Sequence, residues 1–338
     1  MKSILVTGGA GFIGANFVSM ILTEKKGVKV VNLDALTYAG NMENLAKFMN
    51  DKNHVFIHGD IRNLELVEKI IGDHKIEGIM NFAAESHVDR SISGPGIFIE
   101  TNVSGTLNLL QCAKKLGVKR FLQVSTDEVY GSLSTGEDKF SENTSIKPNS
   151  PYSASKAAAD HLVHAFHHTY GMDTVITRCS NNYGPCQFPE KMIPLCINNI
   201  RQGKQIPVYG DGMQVRDWIY VLDHCRAIFT VFEKGISGEV YNIGGNSEKT
   251  NLDLVRTLLK LLGKDESLIS FVKDRPGHDR RYAIDNSKIT NSLGWKPSMT
   301  FEQGIASTVD WYLKNKAWLD HVTSGEYQTY YDKMYLGK

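Results

Sequence analysis

The chain has 338 residues, with 38 Lys and Arg against 37 Asp and Glu and a formal net charge of +1; this length buries a sizeable core and accommodates two lobes. The balanced charge, without long like-charge runs, excludes a nucleic-acid or membrane-surface binder, and no apolar run approaches a membrane span. Five scattered cysteines (Cys112, Cys179, Cys186, Cys196 and Cys225) form no C-x-x-C pair, so reduced thiols in a cytoplasmic protein are expected, with no disulfide framework, metal site or signal peptide.

Ser3-Ile4-Leu5-Val6 is a β-branched run. It leads into Thr7-Gly8-Gly9-Ala10-Gly11-Phe12-Ile13-Gly14 and then into helical periodicity through Phe17, Ile21 and Leu22. Strand, glycine loop and helix in this order are the setting of a dinucleotide fingerprint. Gly8 allows the tight turn, Gly11 the close approach of a pyrophosphate, and Gly14 the packing of helix on strand. About twenty residues on, a second strand ends at Asp34. A carboxylate there accepts hydrogen bonds from a ribose and repels a 2′-phosphate, which favours NAD over NADP.

The alternation continues with strands at 54–57, ending near Asp60 and Ile61, and at 78–82, running into Ala83-Ala84-Glu85-Ser86. Helical spacing covers 98–116. The next strand, 121–124, delivers Ser125-Thr126-Asp127-Glu128. Two acids at a strand end suit the ligand crevice of a doubly wound sheet, although a turn with two solvated acids has the same sequence. Tyr152 and Lys156 stand four apart on a helix predicted to run to about Tyr170. Such a pair is ordinarily a surface feature. Behind a nucleotide-binding half it becomes a candidate base, with the ammonium lowering the phenol's pKa. His161, His164, His167 and His168 on the same helix read as a solvated or subunit-facing surface.

A strand at 174–177 delivers Asn181 and Asn182, and Gly184-Pro185 marks the start of a second lobe. Further strands are predicted at 206–209 and 239–243, the latter returning to the first sheet, and at 269–272. A last amphipathic helix starts at Phe301, and the final residues are uninformative. Pro207-Val208-Tyr209 is a candidate base contact. Asp274-Arg275-Pro276-Gly277-His278-Asp279-Arg280-Arg281, with Arg216, suits a diphosphate, although a solvated arginine turn fits the same residues. The predicted fold is α/β: a Rossmann-type doubly wound parallel sheet with a smaller mixed α/β C-terminal substrate lobe. Its division is residues 1–183, completed by a segment near 217–245, and 184–338 mainly for substrate.

The glycine fingerprint with Tyr152-x-x-x-Lys156 resembles the extended short-chain dehydrogenase/reductase superfamily. Thr126-Asp127-Glu128, the stretches 82–91 and 178–185, Pro189-Glu190-Lys191 and the segment 274–278 resemble its nucleoside-diphosphate-glucose 4,6-dehydratases, nearest those acting on dTDP-glucose in rhamnose and deoxysugar pathways. UDP-glucose is the alternative substrate; 4-epimerases of the scaffold generally lack the adjacent acids. The resemblance implies a tightly held NAD regenerated each cycle. It also implies that Thr126 and Tyr152, with Lys156, serve the C4 hydroxyl, Glu128 the C5 proton and Asp127 the departing C6 hydroxyl. It implies cofactor contacts at Phe12, Ile13, Asp34, Asp60, Ile61, Ala83, Ala84, Thr101, Lys156 and Asn182. Sugar-nucleotide contacts are implied at Ser86, Asn181, Lys191, Arg216, Asn251, Arg275 and His278. A homodimer through the helices near 98–116 and 152–170 is implied as well, with Ala154, Ala157 and Ala158 on a face that could equally pack within the subunit.

Overall fold

A computed structural model describes residues 1–134, 136–274, 277–325 and 327. Twelve strands follow in chain order: β1 (Ser3–Thr7), β2 (Lys29–Asp34), β3 (His54–His58), β4 (Gly78–Asn81), β5 (Arg120–Thr126), β6 (Thr174–Cys179), β7 (Asn181–Tyr183), β8 (Ile206–Tyr209), β9 (Val215–Tyr220), β10 (Val240–Ile243), β11 (Glu248–Thr250) and β12 (Ile269–Val272). Seven form one sheet in the order β10-β6-β5-β4-β1-β2-β3, every pairing parallel. The order reverses beside β1, and the carboxyl ends of β1 and β4 open the crevice that such a reversal creates.

Strands buried on both faces read as continuous apolar runs, and β1 is buried at all five positions. One face is covered by the helices Phe12–Glu24 and Val221–Lys234, the other by Leu64–Asp73, Thr106–Leu116 and Pro151–Tyr170. The helix Pro151–Tyr170 begins with a capping box at Ser150 and Ser153 and Pro151 in its first turn, so its start, and with it Tyr152, is fixed locally. The segment predicted as one helix over 98–116 contains a π-helical turn, Ile99–Gly105, ahead of the helix Thr106–Leu116.

The second lobe has its own core. Ile197, Leu254, Leu258, Ile305 and Tyr312 are fully or almost fully buried there. A three-stranded sheet, β11-β9-β7, stands at its junction with the large sheet. Strands β12 and β8 form a separate parallel pair. A helix missing from the sequence reading, Lys316–Val322, closes the described part of the lobe. Among the described residues no helix is long and apolar enough to cross a membrane.

Candidate active site

The glycine loop is built for close approach. Gly8 has φ +70°, and a Cβ there would stand 2.7 Å from the Ala83 nitrogen; only glycine tolerates both. A Cβ on Gly14 would collide with the Gly8 carbonyl oxygen. At Gly11 the nearest atom is the Gly8 oxygen at 3.3 Å, with nothing else within 4 Å, so the loop is open on the cleft side. The helix Phe12–Glu24 starts there with no side-chain cap and no acid in its first turn. Its first amides and dipole favour an anion. Asp34 accepts from the Ala10 amide at 2.8 Å and the Leu36 amide at 2.8 Å, each carboxylate oxygen retaining a lone pair for a ribose. Asp60 is held by Arg62 at 2.7 Å. Burial opposes its charge, but the Arg62 hydrogen bonds prevail and keep it below its ordinary value. These groups fit a dinucleotide: an uncapped helix start for the pyrophosphate, carboxylates for the ribose side, and a glycine cradle between.

The same cleft receives Thr126, Asp127 and Glu128 at the end of β5, with Tyr152 and Lys156 opposite. Thr126 caps a short 3-10 turn, its Oγ1 accepting from the Glu128 amide at 3.2 Å. Asp127 is 2% exposed, and among the described residues its Oδ2 has no hydrogen-bond partner. Burial drives its carboxyl well above the ordinary range. The charges of Glu128 and Asp217 add to this, while Arg216 and the Thr126 hydroxyl oppose it. Burial and both neighbouring carboxylates thus favour the protonated form of Asp127. Asp217 accepts from the Gly245 amide at 3.1 Å and the Ser247 amide at 2.6 Å, which fixes the carboxyl group whose charge acts on Asp127.

Tyr152 packs edge-on to Phe98, with ring centroids 6.3 Å apart. Asn102, in the π-helical turn, donates to Ser155 Oγ at 2.8 Å and accepts from the Glu85 amide at 2.9 Å, tying the Tyr152 helix to the loop after β4. The expected depression of the phenol's pKa is not found in the protein alone. Burial raises it well above its ordinary value, and Glu128 and Cys179 push the same way against a Thr126 hydrogen bond. Lys156 Nζ donates to the Val124 carbonyl at 2.7 Å, and its own pKa falls through burial, against the charge of Asp160. The spacing of four brings Tyr152 and Lys156 to one cleft, but the ammonium is anchored to a strand carbonyl.

A family model described as GDP-mannose 4,6 dehydratase matches residues 5–308. A dTDP-glucose 4,6-dehydratase of Xanthomonas campestris pv. campestris is 56% identical over 97% of this chain and 98% of its own; one from Escherichia coli is 51% identical over 99% of each. The chain belongs to the dTDP-glucose 4,6-dehydratase family. The crystal structure of the Streptomyces venezuelae family member, with NAD bound, is 49% identical with a TM-score of 0.92, covering 95% of this chain and 99% of that one. A UDP-glucose 4-epimerase of Thermotoga maritima is more distant, at 32% identity and TM-score 0.86 over 93% of this chain and 99% of that one.

In this dTDP-glucose 4,6-dehydratase family member, the residues expected at the cofactor all line one cleft: Gly8, Gly11, Phe12, Ile13, Gly14, Asp34, Asp60, Ile61, Ala83, Ala84, Thr101, Tyr152, Lys156 and Asn182. Of the expected sugar-nucleotide residues, Ser86, Thr126, Asn181 and Lys191 line it too, with Lys191 Nζ donating to the Ser86 carbonyl at 2.7 Å. Arg216, Asn251 and His278 are not in that lining. They gather in the second lobe, around the turn between β8 and β9 and the segment from Asp274. There His278 Nδ1 pairs with Asp274 at 2.6 Å, and Arg216 donates to the Asp279 carbonyl at 3.0 Å and lies 4.3 Å from the Tyr282 ring centroid. Arg275 lies outside the described residues. Arg280 and Arg281 are ion-paired, with Asp211 at 3.0 Å and Glu248 at 2.7 Å. Thr37, Gly40, Arg62, Gln187 and Phe188 also line the cleft and were missed. Their one sequence signal is position, just past a strand end or the Gly184-Pro185 break.

His161, His164 and His168 are exposed, whereas His167 Nδ1 lies 2.8 Å from the Met172 carbonyl. Ala157 is buried within the subunit, whereas Ala154 is exposed. Among the described residues no cluster of His, Cys, Asp and Glu is grouped to hold a metal.

Proposed function

We propose that this chain dehydrates dTDP-glucose to dTDP-4-keto-6-deoxyglucose, with Asp127 and Glu128 dividing the elimination between them. The observation that carries this reading is Asp127, buried, with its carboxyl pushed toward the protonated form by burial, and with a carboxyl oxygen lacking a partner among the described residues. NAD, held by the glycine loop, Asp34 and Asp60, supplies the oxidation at C4 and the reduction at C6. Tyr152, acting as the phenolate, takes the C4 hydroxyl proton on its phenolic oxygen, and Thr126 hydrogen-bonds that hydroxyl. The 4-ketone acidifies the C5 proton, which Glu128 removes. Asp127 gives its proton to the C6 hydroxyl, which leaves as water, and Glu128 returns a proton to C5. One acid must be ionised while its neighbour is protonated, which the unequal burial of Asp127 and Glu128 supports.

Nucleotide-sugar recognition is assigned mainly to the residues after 183, with Arg216, Asn251, Arg275 and His278 serving the nucleotide end. The segment 217–245 is divided in this reading, β9 serving the small sheet and residues 221–243 returning to the large one. A homodimer is assigned to the helical face that leaves Ile97 and Ile99 38% and 50% exposed. The free cysteines support a cytoplasmic setting. A parallel assay with dTDP-glucose and UDP-glucose, read by mass spectrometry, tests the function. Loss of one water from dTDP-glucose is expected. Loss mainly from UDP-glucose would overturn the nucleotide assignment, and C4 inversion without water loss would overturn the dehydration.

A further inference from the structure

The helix Lys316–Val322 lies beyond the residues the family model matches, yet it reaches back to the glycine loop. Trp318 is 8% exposed and packs 5.1 Å from Trp311 and 6.1 Å from Tyr312 in the core of the second lobe. Its indole Nε1 donates to Asn44 Oδ1 at 2.8 Å. Asn44 Nδ2 donates in turn to the Ala10 carbonyl at 2.9 Å. That carbonyl also accepts from the Asn41 amide at 3.0 Å, and the Ala10 amide donates to Asp34 at 2.8 Å.

The order of these bonds matters. An indole N–H is a donor only, so it fixes which end of the Asn44 amide faces Trp318. The opposite end, the NH₂, must then face Ala10. Without the indole the amide is free to flip and set its oxygen against the Ala10 oxygen. The Ala10 carbonyl and the Gly11 amide belong to one planar peptide unit. Holding that oxygen therefore orients the peptide entering the helix Phe12–Glu24.

We propose that Trp318 is a positioning residue for the dinucleotide: through Asn44 it fixes the Ala10–Gly11 peptide, so that the second lobe sets the phosphate-binding loop. The proposal rests on the assignment of NAD to this cleft.

The test is the NAD dissociation constant of full-length protein stripped of dinucleotide, measured by calorimetry alongside the melting temperature of the same stripped samples. Trp318→Phe removes the N–H and keeps an aromatic ring. It is expected to weaken NAD binding roughly three- to tenfold, the range of one net hydrogen bond. Asn44→Ala, at a half-buried position, should weaken it at least as much, and the double variant no further than Asn44→Ala alone. Trp311→Phe, in the same aromatic cluster, should lower the melting temperature and leave NAD binding unchanged. Wild-type affinity in Trp318→Phe, or an equal loss in Trp311→Phe, would overturn the proposal. If Trp318→Phe does not fold, wild-type affinity in Asn44→Ala overturns it. Wild-type protein that binds no NAD would bring down the cofactor assignment itself, a result distinct from either.

Discussion

Asp127→Asn separates the chemistry from the fold. Asp127 is buried, and the charges of Glu128 and Asp217 raise its carboxyl, as burial does first of all. In the proposed division of roles Asp127 is neutral, so a neutral amide of the same shape removes no charge from the folded protein. The Thr126 hydroxyl, 3.4 Å from Asp127 Oδ1, keeps an acceptor there. The melting temperature is therefore expected to stay within a degree or two, or to rise. The amide has no acidic proton for the departing C6 hydroxyl. Loss of a positioned general acid slows a step by roughly 10²- to 10⁴-fold, about 3–5 kcal/mol of barrier. Quenched single turnovers with dTDP-glucose, analysed by mass, should show the 4-keto sugar accumulating before water is lost. Dehydration at the wild-type rate would refute the assignment of the acid. A collapse of the melting temperature would refute the claim that Asp127 is neutral when buried.

Three further outcomes follow from the same geometry. Tyr152 is raised in the protein alone, and the positive ring of oxidised nicotinamide beside it should lower it. The phenolate absorbance of wild type minus Tyr152→Phe should therefore titrate at lower pH with NAD than without, and an unchanged midpoint would count against Tyr152 as the base. Glu190 is raised from 4.5 to about 6, by burial against the charges of Lys191 and Arg90. Between those values the native state binds the extra proton, so stability falls as pH rises through the window. Wild type should lose about 2 kcal/mol relative to Glu190→Gln between pH 4 and pH 7 in denaturant titrations, and parallel curves would contradict this. Asp160 and Arg178 are 2% and 6% exposed and 2.9 Å apart. Asp160→Ala leaves a buried cation and should cost about 3–5 kcal/mol of unfolding free energy; a loss under 1 kcal/mol would show that the Tyr130 hydroxyl, which accepts from Arg178 at 3.0 Å, and water suffice.

The large sheet was legible because its strands are buried on both faces and write themselves as apolar runs. Their ends were less so. β5 runs on through Ser125 and Thr126, two polar residues that pair with Arg178 and Cys179 on β6, past the run 121–124 that marks the strand in the sequence. β7 and β11 are three residues each, and both are held by β9, a partner no local pattern indicates. The π-helical turn at Ile99–Gly105 keeps helical periodicity well enough to hide in it. Within the site, the strand-end position of Asp127 and Glu128 was readable, but the second carboxyl that raises Asp127 was not, since Asp217 arrives on β9, some ninety positions along the chain. Lys156 was placed by its spacing from Tyr152, which says nothing of the Val124 carbonyl that holds it. The arginine-rich segment read as a diphosphate grip. Within it Arg280 and Arg281 pair with Asp211 and Glu248, partners 69 and 33 positions away that no local pattern indicates. The C-terminal helix was unreadable as a functional element because its link to the glycine loop is one indole bond spanning 274 positions.

The most direct test of the account follows one hydrogen. dTDP-glucose carrying deuterium at C4 is converted by the purified protein in ordinary water, and the product is examined by NMR and mass spectrometry. The account predicts that the deuterium appears at C6 of a 4-keto-6-deoxy sugar, with a solvent hydrogen at C5. Deuterium retained at an inverted C4, or lost to solvent, would contradict it.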